Sequence, residues 1–394
     1  MASHHRFDDI TVSDLVAQGS MKWTRNPGHL SAFVAEMDFG TAPVITEALH
    51  AAIDKAQMGY LPAGVKSDMA EATSDYLSSH YGWAIPAEQI YPTADVLSAF
   101  DLVLARFSTP GSAVILPTPA YMPFLTIGPA RGHEVIQVRM IAGPSGRAEM
   151  DLEAIGRAFE AGAEVFILCN PHNPLGRVYS QEELEALAVV VEAHGGLVFS
   201  DEIHAPLTLE GHHHIPYASL SEATANHTLT ATSASKAFNI PGLKCAQLIV
   251  SSAAHQESLR EVAFMVSHGS ATPGVMANTV AYRAGGPWLA DVLGYLDTNR
   301  TLLGELLATH IPAMGYTPPE GTYIAWIDAN GLPDIKGDRS WAQFFADEAQ
   351  VGLTDGALCG EAGVGHLRLM LATPGHILEK IILAMAEALK AHSA

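Results

Sequence analysis

Cysteine is scarce in this chain. Its three residues, Cys169, Cys245 and Cys359, lie far apart with no CxxC spacing. A disulfide framework is therefore not expected, and a reducing, cytoplasmic setting is. Basic residues are also short, with 21 Lys and Arg against 42 Asp and Glu and a formal net charge of −21. That balance argues against nucleic acid or an anionic membrane surface as a partner. Charged residues make up only 16% of the chain and hydrophobic ones 48%, which suits a globular protein and not a disordered one. Long apolar runs free of breakers are missing too. The uncharged stretch from Phe107 to Ala130 carries Pro110, Pro117, Pro119, Pro123 and Pro129, so it reads as strands and turns and not as a membrane span. The opening MASHHRFDDI holds no apolar segment of the kind a secretory signal needs.

Histidine is plentiful, with 19 residues. The run His212-His213-His214 fits neither HExxH nor zinc-finger spacing, and it follows Glu210-Gly211. It reads as a solvated loop.

With 394 residues the chain can bury a large core in two domains. Residues 1–45 read as an N-terminal arm with a short strand, 46–287 as a large domain and 288–394 as a smaller α/β domain. Thr41-Ala42-Pro43 opens a helix that ends before Gly59, with the Thr41 hydroxyl as cap. Another helix spans about 66–80. Short continuous apolar strands follow at 113–116, 135–138, 164–169, 196–200, 228–230 and 246–250. Ser180 with Glu183 forms a capping box for a helix over 181–193. Such strands separated by helices predict a mainly parallel sheet covered on both faces. Beyond residue 290 come a helix to about 309, strands at 322–327 and 366–370, and a last helix over 374–391.

Ligands in such sheets bind at the carboxyl ends of strands. Four polar groups sit there: Pro119-Ala120-Tyr121, Asn170-Pro171-His172-Asn173-Pro174, Asp201-Glu202-Ile203-His204 and Ser233-Ala234-Ser235-Lys236. An aromatic ring, an amide, an acid and a lysine would converge on one edge, which is the set a pyridoxal phosphate site needs. Taken singly, Asp201 reads equally as a helix N-cap, Tyr121 as core and Arg368 as an interdomain ion pair.

Taken together these pieces resemble the fold-type I pyridoxal phosphate enzymes, whose fold is that of aspartate aminotransferase. The chain looks most like the cystathionine β-lyase (C–S lyase) group typified by the bacterial MalY and PatB proteins. The matching pieces run almost end to end: Ala35-Glu36-Met37-Asp38-Phe39, Gly59-Tyr60, Thr118-Pro119-Ala120-Tyr121, Asn173-Pro174-Leu175-Gly176, Ser200-Asp201-Glu202-Ile203-His204, Ser233 to Pro241, and Arg368 within His366-Leu367-Arg368-Leu369. The resemblance implies that Lys236 carries pyridoxal 5′-phosphate and moves the Cα proton. It implies that Asp201 pairs with the pyridine nitrogen, that Asn173 and His204 face O3′ and that Tyr121 stacks on the ring. Ser233, Ser235, Lys244, Asp95 and Val96 would serve the phosphate. Tyr60 would reach the other subunit's cofactor, which implies a homodimer, and Arg368, with Asp38 and Tyr60, would bind an amino-acid substrate.

Three positions depart from the pattern. Asp95 stands where relatives place an uncharged residue, so its backbone N–H is expected to bind while its side chain turns away. Met122 replaces a second aromatic, and Leu175 a threonine. The reaction implied is β-elimination from an L-cysteine S-conjugate such as cystathionine. An aminotransferase shares every cofactor residue, and a regulatory protein that contacts a transcription activator is the reading from another class.

Overall fold

The computed structural model describes residues 5–143 and 146–393. Its larger sheet has seven strands: β1 (Ile90–Thr93), β2 (Ala113–Thr118), β3 (Val135–Arg139), β4 (Ala163–Cys169), β5 (Leu197–Asp201), β6 (Thr228–Thr232) and β7 (Ala246–Val250). They lie in the order β1-β7-β6-β5-β4-β2-β3. Strands β2 to β6 pair in parallel. Only β7 runs against its neighbours β6 and β1. The interior strands are buried on both faces, which is why β2 and β4 read as short apolar runs without alternation.

The reversed β7 has a consequence for the site. Because β1 and β6 both oppose it, β1 points the same way as β6. The carboxyl ends of β1, β2, β4, β5 and β6 and the start of β7 therefore share one edge. Apolar periodicity carries no direction, so the sequence did not reveal this reversal, nor β1 itself. Pro92 is tolerated in β1 because that strand is at the sheet's edge.

Helices cover the sheet. The one over Gln181–His194 opens with the expected Ser180–Glu183 capping box. The helix over Pro43–Asp54 does not use the expected cap. Ala42 takes the cap position with no side-chain bond, and the Thr41 hydroxyl donates to Phe238 O at 2.6 Å. That hydroxyl ties the helix entry to the turn carrying Lys236.

A smaller four-stranded sheet contains β8 (Gly315–Tyr316), β9 (Ile324–Asp328), β10 (Thr354–Asp355) and β11 (His366–Met370), in the order β8-β9-β11-β10. The N-terminal segment joins this side of the molecule. Leu30–Ser31 pairs in parallel with Val351–Gly352. The run 33–39 is not a strand; it is a loop whose Asp38 N–H donates to Ala372 O. One apolar cluster unites Phe7, Trp23, Phe39, Phe238, Trp288, Leu367 and Ile381. The arm, the Lys236 turn and the smaller sheet are thus packed as one body.

The histidine run is corrected in part. His212 and His213 are exposed, but His214 is buried and its Nε2 lies 3.0 Å from Glu202 Oε2. Adjacent Tyr217 is buried, and its N–H donates to Glu202 Oε1 at 3.1 Å. The segment has an inward partner that no local pattern announces.

Candidate active site

Strand β5 ends on Asp201, opposite Cys169 of β4 and Ala231 of β6. Its carboxylate is 4% exposed and accepts the Ile203 N–H at 3.1 Å. Burial raises its pKa to about 7, with the neighbouring Glu202 charge adding, while the Ile203 bond and Lys236 oppose. Asp201 does not cap the helical turn that starts after His204, so the N-cap reading lapses.

Lys236 sits in the turn after β6, among buried Ala234, Ser235 and Ala237. Its Nζ donates to Ala35 O at 3.1 Å. Burial pulls its pKa down to about 8 and Arg368 pushes the same way, against Glu36 and Asp201. A lysine whose pKa is lowered this far has a much larger fraction of free amine, the form that acts as nucleophile and base. Asp201 ends β5 and Lys236 follows the neighbouring β6, so both lie at the same sheet edge, and each bears on the other's charge.

Arg368, on β11, is 3% exposed. Its Nη1 donates to Asn173 Oδ1 at 3.3 Å and its Nη2 to Phe33 O at 3.4 Å. Its Nε has no partner, and no acid pairs with it among the described residues. The ion-pair reading of this arginine fails, since a buried cation without an acid awaits one from outside.

Asn173 is thereby fixed by its oxygen. His204 is buried and held neutral: burial lowers its pKa to about 3, and its Nδ1 has no partner among the described residues. Tyr121, half-buried, lines a cavity of about 860 Å³ together with Met122, Lys236, Lys244, Arg368 and Glu36. Burial raises the Tyr121 pKa above its usual value. Tyr121 packs against the core beneath it and also forms part of the cavity wall.

The phosphate-side residues lie where β1 ends and β7 begins. Asp95 caps the helix that starts at Val96, accepting the Ser98 N–H and Oγ–H at 2.7 Å each. Its side chain thus stays at the helix's N-terminal end instead of turning away as expected, and its other oxygen takes Lys244 Nζ at 2.8 Å. Burial works to raise the Asp95 pKa, but the Lys244 and Ser98 bonds together bring it below the usual carboxylate value. Ser235 N–H donates to Ser233 Oγ, whose hydroxyl donates to Cys245 O. Ser233 is therefore engaged inside the turn.

Of the expected residues, Lys236, Tyr121, Lys244 and Arg368 line this cavity, whereas Asp201, Asn173, His204, Ser233, Ser235, Asp95, Val96, Asp38 and Tyr60 do not; Asp38 and Tyr60 are engaged elsewhere. Both Asp38 oxygens are taken, Oδ2 by Lys22 Nζ at 2.7 Å and Oδ1 by Trp23 Nε1 at 2.8 Å, and the residue is 3% exposed. Tyr60 is 92% exposed, with its ring 6.3 Å from His268. Sequence reasoning passed over Glu36, the Ala35 carbonyl and Tyr323, whose hydroxyl also reaches Ala35 O at 2.9 Å. Glu36 lay inside a recognised motif, but nothing local marked its side chain as facing the lysine.

The donors present fit pyridoxal phosphate. A lysine of lowered pKa, a buried acid, the unpartnered His204 Nδ1 and a helix N-terminus beside Lys244 lie at the carboxyl edge of the larger sheet, and Arg368 with its unpartnered Nε reaches them from the smaller one. Among the described residues no group of His, Cys, Asp and Glu could hold a metal ion.

Comparison with known proteins agrees. The family model for aminotransferases of class I and II matches residues 34–380. The cystathionine β-lyase of Corynebacterium glutamicum is 33% identical over 90% of this chain and 92% of its own length. The cystathionine β-lyase PatB of Bacillus subtilis is 32% identical over 89% and 91%. The pyridoxal phosphate-bound C–S lyase of Staphylococcus hominis superposes with a TM-score of 0.91 at 27% identity, covering 98% of this chain and 99% of that one.

Proposed function

The chain belongs to the aminotransferase class I and II family, and we propose that it is a pyridoxal phosphate-dependent C–S β-lyase. Its substrate is an L-cysteine S-conjugate such as cystathionine, and its products are a thiol, pyruvate and ammonia. The observation that carries this reading is the buried, acid-free guanidinium of Arg368 in one cavity with a lysine of lowered pKa. The similarity to named cystathionine β-lyases along nearly the whole chain selects elimination.

Bound pyridoxal phosphate supplies a ring that accepts the electron pair left at the substrate's Cα. The residues do the rest. Lys236 would hold the cofactor and, once freed, take the Cα proton on Nζ. Asp201 would face the ring nitrogen as a carboxylate, a form its burial disfavours until a cationic partner arrives. Tyr121 would stack on the ring, and the Asn173 amide and neutral His204 would serve its oxygen. Arg368 would grip the α-carboxylate as a fork, in the cavity that Met122 also lines. The thiolate departs with the C–S electrons and is protonated. Water then releases ammonia and pyruvate.

The enzyme acts as a homodimer in this reading. The outward-facing Tyr60, His268 and Phe264 cluster supports it, with Tyr60 92% and Phe264 73% exposed. We place it in the cytoplasm, where its three free, buried thiols stay reduced.

Purified holoenzyme is expected to release pyruvate from cystathionine, and Lys236→Ala to release none. Cofactor-loaded protein that yields no pyruvate would reject the lyase. The family match itself favours a second reading, transamination. That reading requires a stoichiometric half-reaction that a keto acid reverses.

A further inference from the structure

The segment 33–36 is a wall that organises the cavity with its backbone. Phe33 O accepts Arg368 Nη2. Ala35 O accepts both Lys236 Nζ and the Tyr323 hydroxyl. The next residue, Glu36, turns its side chain onto the same cavity. Its Oε2 is shut off from solvent and has no hydrogen-bond partner among the described residues. A buried carboxylate oxygen with no donor is costly, so the working site should complete it with a cation.

Arg368, Glu36 and Asp201 bear on the charge of Lys236, with neutral His204 also near it; of the two carboxylates lining its cavity, Asp355 accepts the Ala357 N–H and Glu36 is the other. Arg368 is itself a cation. Asp201 is committed to the ring nitrogen in the reading above. Glu36 is then the carboxylate left for an ammonium at residue 236, with the Tyr323 phenol as its other titratable neighbour.

We propose that Glu36 is the counter-charge of Lys236, steadying the ammonium formed when the amine takes the substrate's Cα proton and fixing where that amine points. The proton goes from Cα to Nζ, and its electron pair stays with the substrate. Glu36 gains no proton and remains a carboxylate. It is a positioning residue because it acts through Lys236. The proposal rests on the reading of Lys236 as the cofactor lysine.

The test uses the wild-type, Glu36→Gln and Glu36→Asp holoenzymes. The first measurement is a pH titration of the visible absorption band of the cofactor held by Lys236. Glu36→Gln should lower the midpoint by about one pH unit or more, as loss of a nearby opposite charge does. kcat should fall about tenfold, the equivalent of one such unit, while KM changes little. Glu36→Asp should restore most of both. An unchanged midpoint in Glu36→Gln would overturn the proposal, and so would an Asp variant displaced as far as the Gln one, which would mean a packing role. Glu36→Ala is a second neutral variant if Glu36→Gln is insoluble, and it must show the same lowered midpoint. A wild-type protein with no visible band would sink the cofactor reading and this proposal with it. A band without pyruvate release would sink only the lyase reaction, and the midpoint comparison would still decide the role of Glu36.

Discussion

A guanidinium removed from water without an acid is a cost that only a ligand can offset, and Arg368 is such a group. A lysine in its place would keep the charge and lose the planar fork. Arg368→Lys should raise KM for the amino acid by one to two orders of magnitude, a loss of about 1.5–3 kcal/mol, with a smaller effect on kcat. An unchanged KM would remove Arg368 from substrate binding. Asp201 makes a second prediction at this scale. Its folded pKa, about 7, lies above the ordinary carboxylate value. Between those two values the folded, cofactor-free protein binds the extra proton and the unfolded chain does not. Stability from this group is therefore present at low pH and lost as pH rises toward 7 and beyond. His204, depressed to about 3, works the other way over its own window, so the comparison must be between variants. In cofactor-stripped protein, Asp201→Asn should raise the unfolding free energy relative to wild type by a few kcal/mol at pH 8 and by little at pH 4. Chemical denaturation at the two pH values checks it, and equal shifts would mean that Asp201 is not a strained buried acid. Asp201 and Lys236 were legible as residue types at strand ends, and Arg368 through the family pattern within a strand. Their burial, which makes them reactive, was not.

At the scale of elements, the helix opening at Val96 carries its own anion. Asp95 occupies the cap and draws in Lys244, so an arriving phosphate meets a carboxylate at the end where the helix dipole would welcome it. Asp95→Asn should tighten the cofactor's dissociation constant severalfold, on the order of 1 kcal/mol, and Lys244→Met should weaken it. Titration of cofactor-stripped protein by absorbance reads both, and weaker binding in Asp95→Asn would show that the acid helps hold the cofactor through Lys244. The sequence flagged Asp95 as a departure but expected its side chain to turn away, whereas the carboxylate caps the helix. It did not anticipate the partner, which lies on a turn 149 residues further on. The contrast with the Ser180–Glu183 box is physical: a cap made within one turn of chain can be read locally, whereas an ion pair between β1 and β7 depends on those strands being neighbours.

For the whole molecule, the N-terminal arm is held by a buried ion pair. Lys22 is fully buried, and Asp38 with Trp23 completes its surroundings. Asp38→Asn would leave that ammonium without its counter-charge, so a loss of about 3–5 kcal/mol of stability is expected, read as a lowered unfolding midpoint. Unimpaired stability with a raised KM would return Asp38 to the substrate site. Sequence by itself determined the kind of protein: an alternating order of apolar strands and helices, and a set of reactive residues at strand ends whose spacing matches one family. These are properties of neighbours along the chain, where turn chemistry and periodicity act. Tertiary structure alone decided the direction of β7, the inward turn of His214, the sealing of Asp38 by Lys22 and the placement of Glu36 in one cavity with Lys236. Each depends on which surfaces meet after folding, and the electrostatic character of a side chain is set by that meeting: the water it loses and the charges brought against it from distant parts of the chain.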